Sequence, residues 1–290
     1  IDPVSSYLGA DSNVTQEQYD YLVKVWGLDQ PSIVQYFNWV KGALTGNMGD
    51  SFIYNKPVSE LISKAASNTF MLMLTSWLLS GIIGFILGIV AAAYHGRVID
   101  QIIQKISYLF ASMPTFWFAI LMLMFFAVKL GWFPVGMSAP IGVIDKDISL
   151  WDRIHHMILP AMCIAILSTT GTIQYLRNEV IDAKTADYVK TARSKGVPMR
   201  KVYTKHIFRN SLLPIAAFFG FQISGLLGGA VIAESIFNYQ GMGKFFIESI
   251  LTRDYSVVTT LILLYGLLFL LGSLLSDITM AIVDPRIRIE

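Results

Sequence analysis

The stretch DAKTADYVKTARSKGVPMRKVYTKHIFRNSLLP, from Asp182 to Pro214, is the longest polar and charged run between two strongly apolar segments of the chain. From Arg177 to Arg209 the chain carries nine Lys or Arg residues and only three acids. In a membrane protein, a basic loop this short lies on the cytoplasmic side. The stretch is therefore predicted to contact a partner in the cytoplasm.

The composition of the whole chain is that of a membrane protein. Of its 290 residues, 54% are hydrophobic and 14% are charged, whereas a soluble domain has about 25% charged residues. The apolar residues form blocks long enough to cross a bilayer, which takes roughly 20 residues each. An all-α polytopic membrane protein is predicted. The positive-inside bias explains the basic loop more simply than nucleic acid does, so no nucleic-acid partner is predicted.

Five membrane-spanning helices are visible in the hydropathy pattern. They cover about residues 70–94, 106–130, 156–175, 215–233 and 259–283. In the first span, Gly81, Gly84 and Gly88 are predicted to let another helix approach closely. In the second span, Pro114 is predicted to cause a kink because proline removes a helix hydrogen bond.

The topology follows from placing the basic loop, residues 177–210, inside. Residues 1–69 then lie outside as a cap on the membrane face, and residues 70–290 form the transmembrane domain. Loops 131–155 and 234–258 also lie outside. An additional N-terminal helix before Ile1 is expected, which would give six spans with both ends in the cytoplasm.

The cap is predicted to contain two short helices. The sequence WGLDQPSIVQYFNWVKGAL, residues 26–44, has amphipathic spacing, and Pro31 suits its first helical turn. Residues 57–67 are predicted to form a second short helix that leads into the membrane. Between them, TGNMGDSF is predicted to form turns.

No motif for bond chemistry occurs in the chain. There is no HExxH, GxSxG or CxxC motif and no GxxxxGK[ST] nucleotide loop, because GMGK at residues 241–244 lacks the preceding spacing. His155 and His156 are adjacent and point in different directions on a helix, so they are a poor chelating pair. No catalytic residue and no metal site is predicted. Cys163, the single cysteine, is predicted to be a buried structural thiol.

The spans contain few groups that could drive transport. Ionisable residues occur only near their ends, such as Lys129 and Asp277, which weighs against a proton-coupled carrier. Four polar residues lie in mid-span and are candidates for the transport pathway: Thr169, Thr172, Gln222 and Ser224. The alternative role of such residues is hydrogen bonding between helices.

The basic loop carries a recognisable motif. Lys190-Thr191-Ala192 and Gly196 occupy the places of EAA and Gly in the pattern EAA-xxx-G, and Leu213-Pro214 occupy the closing LP. In this respect the chain resembles the permeases of ATP-binding-cassette importers. The spacing between the glycine and LP is longer than in the general motif, and the first acid and alanine are replaced. Both departures fit the peptide-transporter branch, whose pattern is DYV-TAR-KG…RH…RN-LLP.

Other stretches resemble the same branch, so that the likeness extends over essentially the whole chain. They are residues 27–52 in the cap, residues 228–258 in the last external loop, and residues 284–288 in the tail. The chain looks most like the B-type permease of the dipeptide/oligopeptide/nickel family. The resemblance implies the type I importer permease fold in a bacterial cytoplasmic membrane.

The resemblance also implies a coupling helix, from about Ala183 to Lys195, that contacts an ATPase subunit. Tyr188 is expected to fill a pocket, Ala192 to permit close approach, and Gly196 to permit a sharp turn. The residues expected to couple to the ATPase are Asp187, Tyr188, Thr191, Ala192, Arg193, Lys195 and Gly196.

The implied partners are a second, C-type permease, two ATPase subunits that bind ATP and Mg, an extracytoplasmic binding protein and membrane lipid. No cofactor is expected in this chain itself. Peptides are the expected cargo, with nickel or a metal–metallophore complex as the alternative. An ion-coupled carrier and a membrane scaffold remain alternatives of a different class.

Overall fold

A computed structural model describes residues 4, 15–25, 27–51, 53–143, 148–198, 201–207 and 230–283. Most of the fourth predicted span, the tail from residue 284 and the LP pair at 213–214 lie outside these residues.

The described residues are mostly helical. The helices are α1 (Gln16–Val25), α2 (Ser32–Leu44), α3 (Val58–Ala93), α4 (Val98–Ala111), α5 (Thr115–Met122), α6 (Leu150–Thr185), α7 (Asp187–Ser194), α8 (Met242–Leu251) and α9 (Tyr255–Val283). The described residues also form two π-helical segments, π1 (Leu123–Lys129) and π2 (Val202–Ile207). They form two short strands as well, β1 (Asp50–Ser51) and β2 (Lys56–Pro57). Residues 230–236 are also helical.

The first span is longer than its hydropathy predicts. Residues 58–93 form one helix of 36 residues, so the short helix predicted at 57–67 is the first part of α3 and no separate element exists. No glycine or proline interrupts the chain from Val58 through Ser80, and Pro57 stands immediately before the helix, where its missing N–H costs nothing. Gly96, with φ of 77°, follows the helix end.

The second predicted span is bent by 102° between α4 and the α5–π1 segment. Pro114 has an extended backbone, with ψ of 133°, and immediately precedes α5. Proline cannot donate the helix hydrogen bond, and it disfavours helical geometry at the preceding Met113. The predicted kink is therefore confirmed, and it is a break in the helix.

The third span extends beyond its predicted limits at both ends. Helix α6 begins with a capping box in which the Ser149 hydroxyl accepts the Asp152 N–H at 3.1 Å, while the Asp152 carboxylate accepts the Ser149 N–H at 3.2 Å. At its other end α6 continues to Thr185, ten residues past the predicted end at Tyr175. Part of the basic stretch is therefore helix and not loop. The predicted burial of Cys163, inside α6, is confirmed.

The three long helices α3, α6 and α9 are each long and apolar enough to cross a membrane. They correspond to the first, third and fifth predicted spans, which are thereby confirmed. The loop predicted at 234–258 contains α8 and the end of the helical residues 230–236, and α9 begins at Tyr255. The β1–β2 hairpin, in which Asp50 pairs with Pro57, was not predicted.

The chain packs as two compact units. The first contains Ile1–Thr69 and Gln240–Gly266, and the second contains Phe70–Tyr239 and Leu267–Glu290. In the first unit, Val58 and Ile62 of α3 share a buried core with Met242, Val257 and Leu261. Residues of the predicted cap therefore pack against residues that follow position 240. The division of the sequence at 69 and 70 stays a prediction.

In the second unit, the largest core surrounds the middle of α6. Leu159 and Ile164 pack there with Leu72 of α3, Phe118 of α5 and Phe237. The adjacent histidines at the start of α6 hold the preceding loop to this core: His155 Nε2 lies 2.8 Å from the Trp132 carbonyl, and His156 Nδ1 lies 3.0 Å from the Gly136 carbonyl.

Helices α3 and α6 approach closely at two glycines, as predicted for the first span. A Cβ atom added to Gly84 would lie 2.6 Å from Cβ and Cγ2 of Thr172. A Cβ atom added to Gly88 would lie 3.1 Å from Cβ of Leu176. These two positions have room for hydrogen only, because the facing helix fills the remaining space.

Replacing Gly84 with alanine is expected to destabilise the protein by about 1–3 kcal/mol, since the added methyl group must displace Thr172 or the α6 backbone. The measurement is the thermal unfolding midpoint of the detergent-solubilised chain. Gly266→Ala is the matched control, because Gly266 is also helical and an added Cβ there meets no atom within 4 Å. An equal midpoint for both variants would contradict the close packing at Gly84.

Candidate functional site

The predicted coupling helix is α7, which is shorter than the sequence indicates. The prediction began it at Ala183, but α6 continues to Thr185, and Ala186 with ψ of 149° separates the two helices. The extended residue turns the chain, so that α7 takes a new direction. The acidic Asp187 then opens the helix, where the positive end of the helix dipole favours a carboxylate.

Helix α7 has one buried face. Val189 and Ala192, three residues apart, are buried in a cluster with Ala92, Leu176 and Val180. These partners come from the end of α3 and from the last turns of α6, and Val202 and Ile207 of π2 complete the cluster. The sequence did contain a signal for this buried face: two apolar residues at the spacing i, i+3 in an otherwise charged helix.

Ala192 has a different neighbour from the one expected. The sequence prediction gave it a close approach to a partner, but its side chain is 6% exposed and lies against the chain's own cluster. Its small size lets α7 lie close to the ends of α3 and α6. The residue therefore positions the helix, and it is not on the exposed face.

The turn that ends α7 is a Schellman motif. The Val197 N–H donates to the Ala192 carbonyl at 3.2 Å, and the Gly196 N–H donates to the Arg193 carbonyl at 2.9 Å. Gly196 has φ of 75°, a left-handed conformation that costs other residues about 1–2 kcal/mol. Val197, the next residue, packs against the same buried cluster. The sharp turn predicted at Gly196 is present.

The opposite face of α7 is exposed. Five of the predicted coupling residues have exposed side chains or lie at its exposed end: Asp187, Tyr188, Thr191, Arg193 and Lys195. Tyr188 is 39% exposed. The Lys190 ammonium lies 2.9 Å from Asp187 Oδ1 and holds the pKa of that carboxyl below its usual range. Because both groups are exposed, this pair adds little to stability.

One basic residue of the loop, Lys184, contacts the chain itself. The Lys184 ammonium donates to the Ala92 carbonyl in the last turn of α3 and lies 5.5 Å from the centre of the Tyr203 ring. A cation at the carbonyl end of a helix is favourable. The side chains of Lys205 and Arg209 lie outside the described part of the chain.

Arg177 forms a two-pronged ion pair with Asp100. Nε lies 2.7 Å from Oδ1 and an Nη lies 2.8 Å from Oδ2, and the Gly96 N–H also donates to Oδ2 at 2.9 Å. The Asp100 side chain is 3% exposed. This pair fixes the first turn of α4 to α6, ten residues before the start of the predicted coupling helix α7. It was not predicted, because the two residues are 77 positions apart.

The predicted pathway residues separate into two groups. Gln222 and Ser224 lie outside the described residues. Thr169 and Thr172 are buried: the Thr169 hydroxyl donates to the Ala165 carbonyl at 2.6 Å, and Thr172 faces Gly84. The neighbouring Thr170 donates to the Ser107 carbonyl of α4 at 2.9 Å, which is a hydrogen bond between helices. A pathway role for these residues stays a prediction.

Comparison with known proteins gives one family match. Residues 84–289 match the family described as the binding-protein-dependent transport system inner membrane component. The oligopeptide transport system permease protein AppB of Bacillus subtilis is 37% identical, over 99% of this chain and 90% of that protein. The di/tripeptide transport system permease protein DppB of Pseudomonas aeruginosa is 32% identical, over the same shares of the two chains.

Two solved structures share the fold. A chain of the inward-facing MetNI methionine ABC transporter superposes with a TM-score of 0.63 at 14% identity, over 77% of this chain and 96% of its own length. A chain of an amino acid ABC transporter superposes with a TM-score of 0.57 at 13% identity, over 77% of this chain and 94% of its own length. At such identities the likeness shows the fold alone. The predicted type I importer permease fold is confirmed.

Removing one partner of the Asp100–Arg177 pair is expected to destabilise the chain. Asp100→Leu leaves the partly buried guanidinium of Arg177 without its carboxylate, which costs about 1–3 kcal/mol, whereas the double variant Asp100→Leu/Arg177→Met recovers most of that loss. Thermal unfolding midpoints in detergent measure both effects. Asp182→Asn, a change at an exposed acid on the same helix as Arg177, is the control and should leave the midpoint unchanged. A double variant no more stable than Asp100→Leu would contradict the pairing.

Proposed function

Because the chain belongs to the family of binding-protein-dependent transport system inner membrane components, we propose that it is the permease subunit of an ATP-driven peptide importer in a bacterial cytoplasmic membrane. The observation that carries the proposal is its likeness, over 99% of its length, to permease proteins of oligopeptide and di/tripeptide transport systems. Its long apolar helices make it a multi-pass membrane protein.

The exposed face of α7 is the proposed contact with an ATPase subunit. It presents an aromatic ring, Tyr188, between charged and hydroxyl groups, on a helix whose other face is fixed to the chain's own core. An aromatic residue on a rigid element is well suited to anchor an interface. Asp187, Thr191, Arg193 and Lys195 surround it, and Ala192 and Gly196 hold the helix in place.

The packing of α7 against the ends of α3 and α6 supports a role for α7 in transmitting movement. Its buried residues touch the last turns of α3 and α6, and the Asp100–Arg177 pair links α6 to α4. When two ATPase subunits close on ATP and Mg, a displacement of α7 is passed to the ends of these helices. The membrane segments then change between inward-open and outward-open arrangements, a rigid-body switch of packed helices.

The remaining components supply what this chain lacks. A second, C-type permease forms the other half of the pathway, and two ATPase subunits supply the energy. An extracytoplasmic binding protein delivers the peptide. The chain performs no bond chemistry and has no ATPase site of its own.

Peptide import is tested with the complex of this chain and its neighbouring-gene partners in proteoliposomes. The binding protein and labelled di-, tri- and oligopeptides are placed outside, and ATP is enclosed inside, where the ATPase subunits face. Peptide accumulation that requires ATP, both permeases and the binding protein is expected. An inactive Walker-lysine variant of the ATPase subunits is the control for energy coupling.

The same vesicles distinguish the rival functions. Uptake of nickel or a metal–metallophore complex, without uptake of any peptide, would replace the proposed cargo. Peptide uptake driven by an ion gradient without ATP would replace the proposed energy source. Binding of the ATPase subunits without uptake of any solute would indicate a scaffold.

Truncating the exposed aromatic of α7 is expected to weaken ATPase binding. Tyr188→Ala removes an anchor worth about 2 kcal/mol or more at an interface, so the affinity should fall roughly 30-fold. The chain's own unfolding midpoint should hardly change, since Tyr188 lies outside the buried cluster. Titration of the ATPase subunits onto the immobilised permease pair measures the affinity.

Two further variants of α7 test whether the loss of ATPase affinity is specific to Tyr188. Ser194→Ala changes an exposed residue outside the predicted contact set and should bind the ATPase normally. Ala192→Leu adds a larger side chain to the buried cluster and should lower the unfolding midpoint of the chain. If Tyr188→Ala bound the ATPase as tightly as the unaltered chain, this face of α7 would not be the contact.

A further inference from the structure

Helix α2 of the first unit carries an uncovered apolar face. Ile33, Tyr36, Phe37, Val40 and Leu44 recur at the spacing i, i+3, i+4, i+7 and i+11, which places them along one stripe of the helix. The exposed fractions are 84% for Leu44, 63% for Ile33, 62% for Phe37 and 58% for Tyr36. No residue of α2 is buried. A surface helix of a soluble domain would turn such a stripe toward a core.

The side of α2 opposite the apolar stripe contacts the rest of the chain. Gln35 Nε2 donates to the Gln30 carbonyl at 2.7 Å, within the loop that precedes the helix. Leu28 and Gln35 also line a cavity of about 540 Å³ together with Trp39. Tyr36, at the edge of the stripe, also lines this cavity. Ile33, Phe37 and Leu44 do not line it, and they are 62–84% exposed.

The cavity places α2 beside the start of a membrane span. Its other wall is the first turn of α9, with Tyr255, Ser256 and Thr259. Helix α9 has 29 residues and is about 43 Å long at 1.5 Å per residue, whereas the hydrocarbon core of a bilayer is about 30 Å thick. Helix α9 is therefore longer than the hydrocarbon core, and α2 lies beside the end at which the chain enters this helix. Exposed apolar side chains begin immediately beyond its first turns, at Ile262 and Leu263.

We propose that α2 is an interfacial helix that lies in the surface layer of the bilayer. Ile33, Phe37 and Leu44 insert at the boundary of the acyl chains, close to the start of α9. Tyr36 lies at the level of the headgroups, where aromatic rings with a polar atom concentrate. The helix has no acid, and Lys41 extends beside the stripe toward lipid phosphates.

This placement gives α2 a mechanical role that the proposed transport function does not specify. By anchoring to lipid, it holds the first unit at a fixed height beside the start of α9. The inference rests on the helix face and its position at a span, and it stands whichever solute the complex carries.

The test uses lipid-depth quenching of single-cysteine variants in the assembled complex. Cys163, the only cysteine, is first replaced by alanine. Phe37→Cys and Ile33→Cys place a polarity-sensitive fluorophore on the stripe. Asn38→Cys places it at an exposed polar position away from the stripe, at the rim of the cavity. The vesicles contain phosphatidylethanolamine and phosphatidylglycerol, with or without lipids that carry a doxyl quencher on the acyl chain.

Labels at positions 33 and 37 are expected to emit at shorter wavelength and to be quenched by doxyl lipid but poorly by aqueous iodide. The label at position 38 should show the reverse. Retained ATP-dependent uptake by each labelled complex reports that its fold is intact, and the two stripe positions serve as independent readings.

Three results would overturn the proposal. A stripe label quenched by iodide and not by doxyl lipid would place the face in water. Protection from both quenchers would place it in a protein interface. Shielding from iodide that appears only after the binding protein is added would identify that protein as the occupant.

Discussion

The packing of α7 on a small buried cluster is the constraint on which the region from Arg177 to Ile207 depends. Val189 and Ala192 are the two buried residues of an otherwise charged helix, and they touch the ends of α3 and α6. Once they are buried, the other side of the helix must face away from the chain. The left-handed Gly196 then ends the helix and returns Val197 to the same cluster. Exposure of Tyr188 and Arg193 follows from this packing.

The buried cluster under α7 connects the proposed ATPase contact to several membrane segments. Two helices pack closely where glycine leaves room, at Gly84 and Gly88 of α3 against Thr172 and Leu176 of α6. Leu176 belongs to the α7 cluster as well, so the close packing of these two helices and the packing of α7 share a residue. The Asp100–Arg177 pair adds α4 to this group. A force on α7 therefore acts on several membrane segments together, because packed interiors deform little.

Helices α7 and α2 each present an exposed face, and the two faces suit different environments. In the second unit, α7 offers charge and one aromatic ring, which suits a protein partner in water. In the first unit, α2 offers an uninterrupted apolar stripe with one lysine beside it, which suits lipid. The difference comes from the residues that each helix leaves exposed: Ile33, Tyr36, Phe37 and Leu44 in α2, and mostly polar residues in α7.

Hydropathy and residue type by themselves determined much of this protein. Apolar blocks of bilayer length predicted the spans that α3, α6 and α9 form, Pro114 predicted the break after α4, and Gly196 predicted the turn after α7, because each effect is local to the chain. The motif around Tyr188 and Gly196 by itself indicates the permease family. Only the tertiary structure decided that Ala192 faces inward, that Arg177 and Lys184 serve the fold, and that Asp100 pairs with a residue 77 positions away. Such contacts depend on which helices become neighbours, and that is set by packing over the whole chain and not by any short stretch of sequence.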